Sequence, residues 1–149
     1  AMGAQVLYTA TSQKPDAAAE WRKLPALLQD ADIVSLHLPL TPQTEGMLDA
    51  AALASMKQGA VLINTARGGL VDEAALVQAL TSGNLRAAGL DVVCVEPAPA
   101  GNPLFDLDNV VVMPHIAWVT PETLDRSLGI AFENCRRIRD GEDLLHRVV

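Results

Sequence analysis

Three residues in this chain have the types and settings to do chemistry together. Arg67 stands in Ile63-Asn64-Thr65-Ala66-Arg67-Gly68-Gly69-Leu70-Val71-Asp72-Glu73, where an apolar run breaks into a glycine turn and then a helix. Glu96 stands in Gly89-Leu90-Asp91-Val92-Val93-Cys94-Val95-Glu96-Pro97, and His115 in Val112-Met113-Pro114-His115-Ile116-Ala117-Trp118. A guanidinium can clamp a carboxylate through two parallel hydrogen bonds. An imidazole backed by a carboxylate can exchange a proton near neutral pH. The combination points to proton-coupled chemistry on a small carboxylic acid. Each group follows an apolar run, and in a parallel sheet such ends open onto one crevice.

The elements that must position these residues alternate between strand and helix. Val6-Leu7-Tyr8 reads as a short buried strand. A helical stretch follows from about Asp16 to Asp30, broken near Pro25. Asp32–Leu38 is a second strand and ends at Pro39, which has no N–H for a ladder. Asp49 caps a helix that stops at Gly59. Ala60–Asn64 is the third strand. Asp72 caps the next helix, with Leu76, Val77 and Leu80 on its apolar face and Gly83 as its stop. Ala87–Val93 and Val110–Met113 are the fourth and fifth strands. Thr120 and Pro121 open a long helix, 121–140, with the stripe Leu124, Leu128, Ala131, Phe132, Cys135, Ile138. Continuous apolar strands between amphipathic helices mean an α/β fold with a doubly wound parallel sheet.

Composition narrows the function. The chain has 149 residues, enough for one domain with a core. Half of it is apolar and only 3% aromatic, so Ala, Val, Leu and Ile must build that core. With 11 basic and 18 acidic residues the net charge is −7, which argues against nucleic acid or an anionic membrane surface as partner. No apolar run reaches ~18 residues. Cys94 and Cys135 lie far apart, and no CxxC or Cys/His cluster offers a metal site. Two reduced cysteines fit a cytoplasmic protein.

The motifs Asn64–Glu73, Asp91-Val92 with Glu96-Pro97, and Pro114–Trp118 resemble the D-isomer-specific 2-hydroxyacid dehydrogenases. His37-Leu38-Pro39-Leu40-Thr41 and Thr44 fit the same family. Within it, Ala117-Trp118 and Gly101-Asn102-Pro103-Leu104 are most similar to the glycerate dehydrogenases (hydroxypyruvate reductases). The resemblance implies a Rossmann-like NAD(P)-binding domain and hydride transfer between NAD(P)H and a 2-keto or D-2-hydroxy acid, of the hydroxypyruvate or glyoxylate type. It implies that Arg67 binds the substrate carboxylate and polarises the adjacent carbonyl. His115 protonates the carbonyl oxygen, or acts as base in reverse, and Glu96 holds the imidazole and favours its charged form. Asp91 contacts the carboxamide side of the nicotinamide. Thr65 and Ala66 line the cofactor crevice, and Pro39 and Thr44 border a ribose. Trp118 is either substrate wall or packing. A homodimer is implied for the full-length protein.

Two departures from the family follow. None of the ten glycines forms the GxGxxG turn that receives a pyrophosphate. Ala1-Met2-Gly3-Ala4 resembles the tail of the helix after that turn. The chain is therefore expected to be the later part of a dinucleotide-binding domain. In the family strand order 3-2-1-4-5-6 the lacking strand is central, and the long helix packs toward a separate substrate domain. The second departure concerns the adenosine ribose. An acid normally ends the strand that Val6–Tyr8 represents, but Ala10-Thr11-Ser12 stand there, with Lys14 soon after. Hydroxyls and a lysine suit a 2′-phosphate, so NADP is favoured over NAD. A non-catalytic nucleotide-binding regulator on the same fold, or an inactive fragment of the enzyme, is the alternative.

Overall fold

The computed structural model describes residues 3–147; Ala1 and Met2, read above as part of a helix tail, lie outside the described residues. The chain forms two compact units, Ala1–His115 and Ile116–Val149.

The first unit holds two parallel sheets. Among the described residues, strands β1 (Leu7–Tyr8) and β2 (Glu20–Trp21) pair only with each other. Strands β3 (Ile33–Leu36), β4 (Ala60–Asn64), β5 (Leu85–Leu90) and β6 (Val110–Val112) form the second sheet in that order. Every pairing is parallel. The apolar runs therefore do what continuous hydrophobic strands predict. Val34, Leu62 and Ala88 stand in register, as do Leu36, Asn64 and Leu90, and all six are buried on one face. Three helices follow the strands: α1 (Leu24–Asp30), α2 (Ala50–Ser55) and α3 (Glu73–Thr81). α1 packs on α2, α2 on α3, and α3 on β5. Leu28, Leu48, Leu53, Leu62, Leu70, Leu76 and Leu85 are fully buried there. On the other face of the sheet, Ile33 and Val111 are exposed.

The caps behave as read. The Asp49 carboxylate accepts the Ala52 amide at 2.8 Å, and Asp72 accepts the Ala75 amide at 3.0 Å. Gly83 lies just beyond α3 at φ 76°.

Several expectations need correction: Val6, before β1, is exposed, β3 ends at Leu36 and not Leu38, and β5 runs Leu85–Leu90 and not Ala87–Val93. Residues 16–23 are not helical; they contain β2, held to β1 by Glu20 N–H to Val6 O (3.1 Å) and Arg22 N–H to Tyr8 O (2.8 Å). Pro25 opens α1 instead of breaking a longer helix, because its missing N–H costs nothing in a first turn. α2 ends at Ser55, before Gly59. Met56 turns extended to bury its side chain, and the Lys57 amide bonds to Leu28 O on α1 at 3.1 Å.

The second unit is built on α4 (Pro121–Asp140). Thr120 accepts the Thr123 amide at 3.1 Å, Pro121 sits in the first turn, and Gly141 at φ 70° ends the helix. Asn134 exchanges two hydrogen bonds with the Leu145 backbone. Leu124, Leu128, Phe132 and Ile138 of the expected stripe are exposed. Among the described residues no helix is long and apolar enough to cross a membrane.

Candidate active site

β4, β5 and β6 are neighbours and parallel, so the segments that follow them leave the sheet at one edge. Arg67 follows β4, Glu96 follows β5 and His115 follows β6. This is the carboxyl edge where open α/β sheets bind ligands.

The turn after β4 is organised by Asn64, which is 1% exposed. Its Nδ2 donates to Arg67 O at 2.9 Å, and its Oδ1 accepts the Ala66 amide at 3.0 Å. Those bonds fold Thr65-Ala66-Arg67 back over the strand end. A 3₁₀ turn, Gly68–Leu70, follows. Arg67 is exposed, and its guanidinium donates from Nη1 to Ala66 O at 2.6 Å. A guanidinium has further N–H groups that can donate in parallel to a carboxylate.

Glu96 and His115 meet directly: His115 Nδ1 lies 2.8 Å from Glu96 Oε2. The His115 hydrogen bond holds the Glu96 carboxyl below its ordinary value, aided by the Val93 amide, which donates to Oε1 at 3.2 Å. An ionised carboxylate only accepts, so His115 must donate from Nδ1. That leaves Nε2 as the nitrogen that can give or take a proton at a substrate. The His115 backbone is left-handed, φ 57°, and its N–H donates to Asp91 O at 2.9 Å. A bulky residue held there carries a conformational cost, as is common at functional sites.

The other expected site residues occupy several places. Ala10, Thr11 and Ser12 form an exposed turn after β1, beside exposed Lys14. Tyr8 fixes that turn: its hydroxyl accepts the Lys14 amide at 2.6 Å and donates to Lys14 O at 3.2 Å. Pro39 and Thr44 share one turn after β3, where the Thr44 hydroxyl donates to Pro39 O and accepts the Thr41 amide, both at 2.8 Å. Thr44 thus shapes the turn and has little left for a ligand. Thr65 is exposed and Ala66 half-buried. Asp91 is buried at the end of β5, and its amide bonds to Asn64 O at 2.9 Å. Trp118 belongs to the second unit and is 53% exposed.

Sequence reading gave no role to Asn64, Glu73 or Asn102. The first had a signal, a polar residue closing an apolar run. Glu73 and Asn102 bond across the fold at 2.8 Å and are 29 residues apart, so spacing could not pair them.

The family model for the D-isomer specific 2-hydroxyacid dehydrogenase NAD binding domain matches residues 1–117. A D-3-phosphoglycerate dehydrogenase of Mycobacterium tuberculosis is 45% identical over 146 residues, covering 95% of this chain and 28% of that protein. A glycerate dehydrogenase of Methylorubrum extorquens is 52% identical over 103 residues, covering 68% and 33%. The crystal structure of a D-isomer specific 2-hydroxyacid dehydrogenase from Xanthobacter autotrophicus Py2, in complex with NADPH and MES, is 42% identical with a TM-score of 0.80. That match covers 97% of this chain and 61% of the other. The chain spans about a third of the length of the two curated relatives it matches here. By the family model and the shared fold, it belongs to the D-isomer-specific 2-hydroxyacid dehydrogenase family, within its NAD-binding domain.

Proposed function

We propose that the whole protein is a cytoplasmic, homodimeric NAD(P)-dependent oxidoreductase that interconverts a small 2-keto acid and its D-2-hydroxy acid, of the hydroxypyruvate or glyoxylate type. The observation that carries this reading is the 2.8 Å contact between His115 Nδ1 and Glu96, on the sheet edge that also bears Arg67. Arg67 holds the substrate carboxylate and draws charge from the neighbouring carbonyl. His115 gives a proton from Nε2 to the carbonyl oxygen, and Glu96 stabilises the ring while it is charged.

The residues present fit part of a dinucleotide. Thr65 at the end of β4 offers a hydroxyl with no hydrogen bond among the described residues, and Ala66 leaves room beside it. Pro39 and Asp91 border the same edge. At the far end, Thr11, Ser12 and Lys14 suit a ribose 2′-phosphate, which supports NADP over NAD. A nicotinamide cofactor supplies the hydride when bound. In this reading residues 1–149 are the later part of the dinucleotide-binding domain, and α4 packs toward a separate substrate domain.

A second substrate has one specific observation behind it: the 45% identity to a D-3-phosphoglycerate dehydrogenase across 95% of the chain. The test is to assay the full-length protein with NADPH and NADH against hydroxypyruvate, glyoxylate and the oxidised form of 3-phosphoglycerate. Turnover of the first two supports the proposal. Turnover of the phosphorylated acid alone replaces the substrate class. Nucleotide binding without turnover of any keto acid leaves a regulator.

A further inference from the structure

Glu73 ends the Arg67 motif and opens α3. An acid in a first turn commonly does no more than favour the helix dipole. Here its carboxylate is engaged elsewhere. Oε2 accepts the Cys94 amide at 3.0 Å, and Oε1 accepts Asn102 Nδ2 at 2.8 Å. Asn102 is 5% exposed and uses its own Oδ1 to accept the Leu104 amide at 2.9 Å. One carboxylate therefore ties down both ends of the loop after β5.

That loop carries Glu96, and it has little else to hold it. Cys94, Val95, Glu96 and Pro97 are exposed and belong to no helix or strand. Besides the His115 and Val93 bonds to Glu96, two further contacts come from the Arg67 motif. Cys94 Sγ lies 3.6 Å from Val71 O. Gly68 packs so closely that a Cβ there would sit 2.6 Å from Cys94 N. The Glu73 clamp thus lies between the segment that presents Arg67 and the segment that presents Glu96.

We infer that Glu73 is a positioning residue: by clamping the Cys94 amide and Asn102, it sets the Glu96 carboxylate against His115 and fixes that pair relative to the Arg67 turn. The inference rests on the proposed role of Arg67, Glu96 and His115. Its energetic logic is geometric. Misplacing a reacting group by about 1 Å can cost ~10²-fold in rate, so a loop that frays should lower kcat with little change in cofactor binding.

The experiment uses the full-length protein and the variants Glu73→Ala, Glu73→Gln, Asn102→Ala and His115→Ala. Glu73→Ala should lower kcat by about 10–100-fold and leave the KM for the cofactor nearly unchanged. The same variant should move the carboxyl ¹³C titration of Glu96 up toward its ordinary value, because a carboxylate that no longer stays against His115 loses the hydrogen bond that lowers it. Asp91 and Arg67, the other charged groups of this edge, remain in place. Glu73→Gln keeps one acceptor oxygen and should fall between Glu73→Ala and wild type. Asn102→Ala leaves α3 intact and should shift the titration in the same sense, which keeps the test usable if Glu73→Ala folds poorly. A Glu73→Ala protein with a lower Tm but an unchanged kcat and an unchanged Glu96 titration would make Glu73 a helix-end acid only. The two readings separate cleanly. Near-normal turnover in His115→Ala removes the proposed chemistry, whereas an inactive His115→Ala beside a silent Glu73→Ala removes only the clamp.

Discussion

Gly68 lies against the backbone of Val93, and a side chain on Gly68 would overlap the Val93 carbonyl and sit 2.6 Å from the Cys94 nitrogen. The obstacle is main chain, which cannot rotate away. Gly68→Ala should therefore push the Arg67 turn and the Glu96 loop apart. Overpacking of this kind costs about 1–3 kcal/mol. The expected result is a lower Tm together with a raised KM for the keto acid, read from thermal unfolding and steady-state kinetics of the full-length protein. An unchanged Tm would mean that the two segments separate freely.

The Glu96–His115 pair makes a prediction about acid. The His115 hydrogen bond holds Glu96 below the ordinary value of 4.5, with desolvation opposing and the Val93 amide assisting. A depressed carboxylate contributes stability that is present above its unfolded value and is lost as pH falls through its folded value. The contact should thus persist at pH 4.5 and break only below it. Carboxyl ¹³C NMR of Glu96 should titrate below 4.5 in wild type and return toward 4.5 in His115→Ala. The same His115→Ala variant should lose ~10²–10⁴-fold in turnover, the usual span for a missing general acid.

Much of this site could be read from the chain, and the remainder could not for a physical reason. Arg67, Glu96 and His115 each follow an apolar run, so their types and order were visible before any fold. The caps Asp49, Asp72 and Thr120 were local signals and are local in space. By contrast, β2 is two residues long and exists through backbone bonds to β1, so no periodicity announces Glu20 and Trp21. Glu73 reaches partners 21 and 29 residues away. Side-chain bonds of that kind depend on where the sheet sets its loops, which local pattern does not encode.

The Arg67 side chain is exposed, and its guanidinium donates to Ala66 O. Arg67→Lys keeps the charge but removes the planar fork. Hydrogen bonds to charged groups contribute about 1.5–3 kcal/mol each, so kcat/KM for the keto acid should fall at least ~10-fold. Carbonyl compounds without a carboxylate should be much less affected. Equal losses for both kinds of substrate would take Arg67 off the carboxylate.

The turn after β1 predicts cofactor choice. Ala10, Thr11, Ser12 and Lys14 are exposed, and Tyr8 pins the turn through Lys14. The wild-type protein should use NADPH at least as well as NADH. Ala10→Glu should place a carboxylate where it repels a 2′-phosphate and accepts from ribose hydroxyls. The ratio of kcat/KM for NADPH over NADH should drop by about tenfold or more. A clear wild-type preference for NADH sinks this reading.

The last prediction concerns the two sheets of the first unit. Among the described residues β1 pairs only with β2, and β3 only with β4, so each has one edge without a strand neighbour there. Val6 and Ile33, at the starts of those strands, are exposed. In the family's strand order one further parallel strand stands between them, and it leads into the turn that receives a pyrophosphate. Pairing on both sides would satisfy the outward backbone groups, each costing ~1–3 kcal/mol if buried unpaired. Whole-domain stability is only ~5–15 kcal/mol, so those edges weigh heavily. Residues 1–149 expressed alone should unfold at lower temperature than the full-length protein and show no NADPH oxidation with hydroxypyruvate. Hydrogen exchange should find the amides of Ile33–Leu36 fast in the 149-residue chain and protected in the full-length one. A cooperative 149-residue chain with protected β3 amides and measurable turnover would mean that the two sheets need no strand between them.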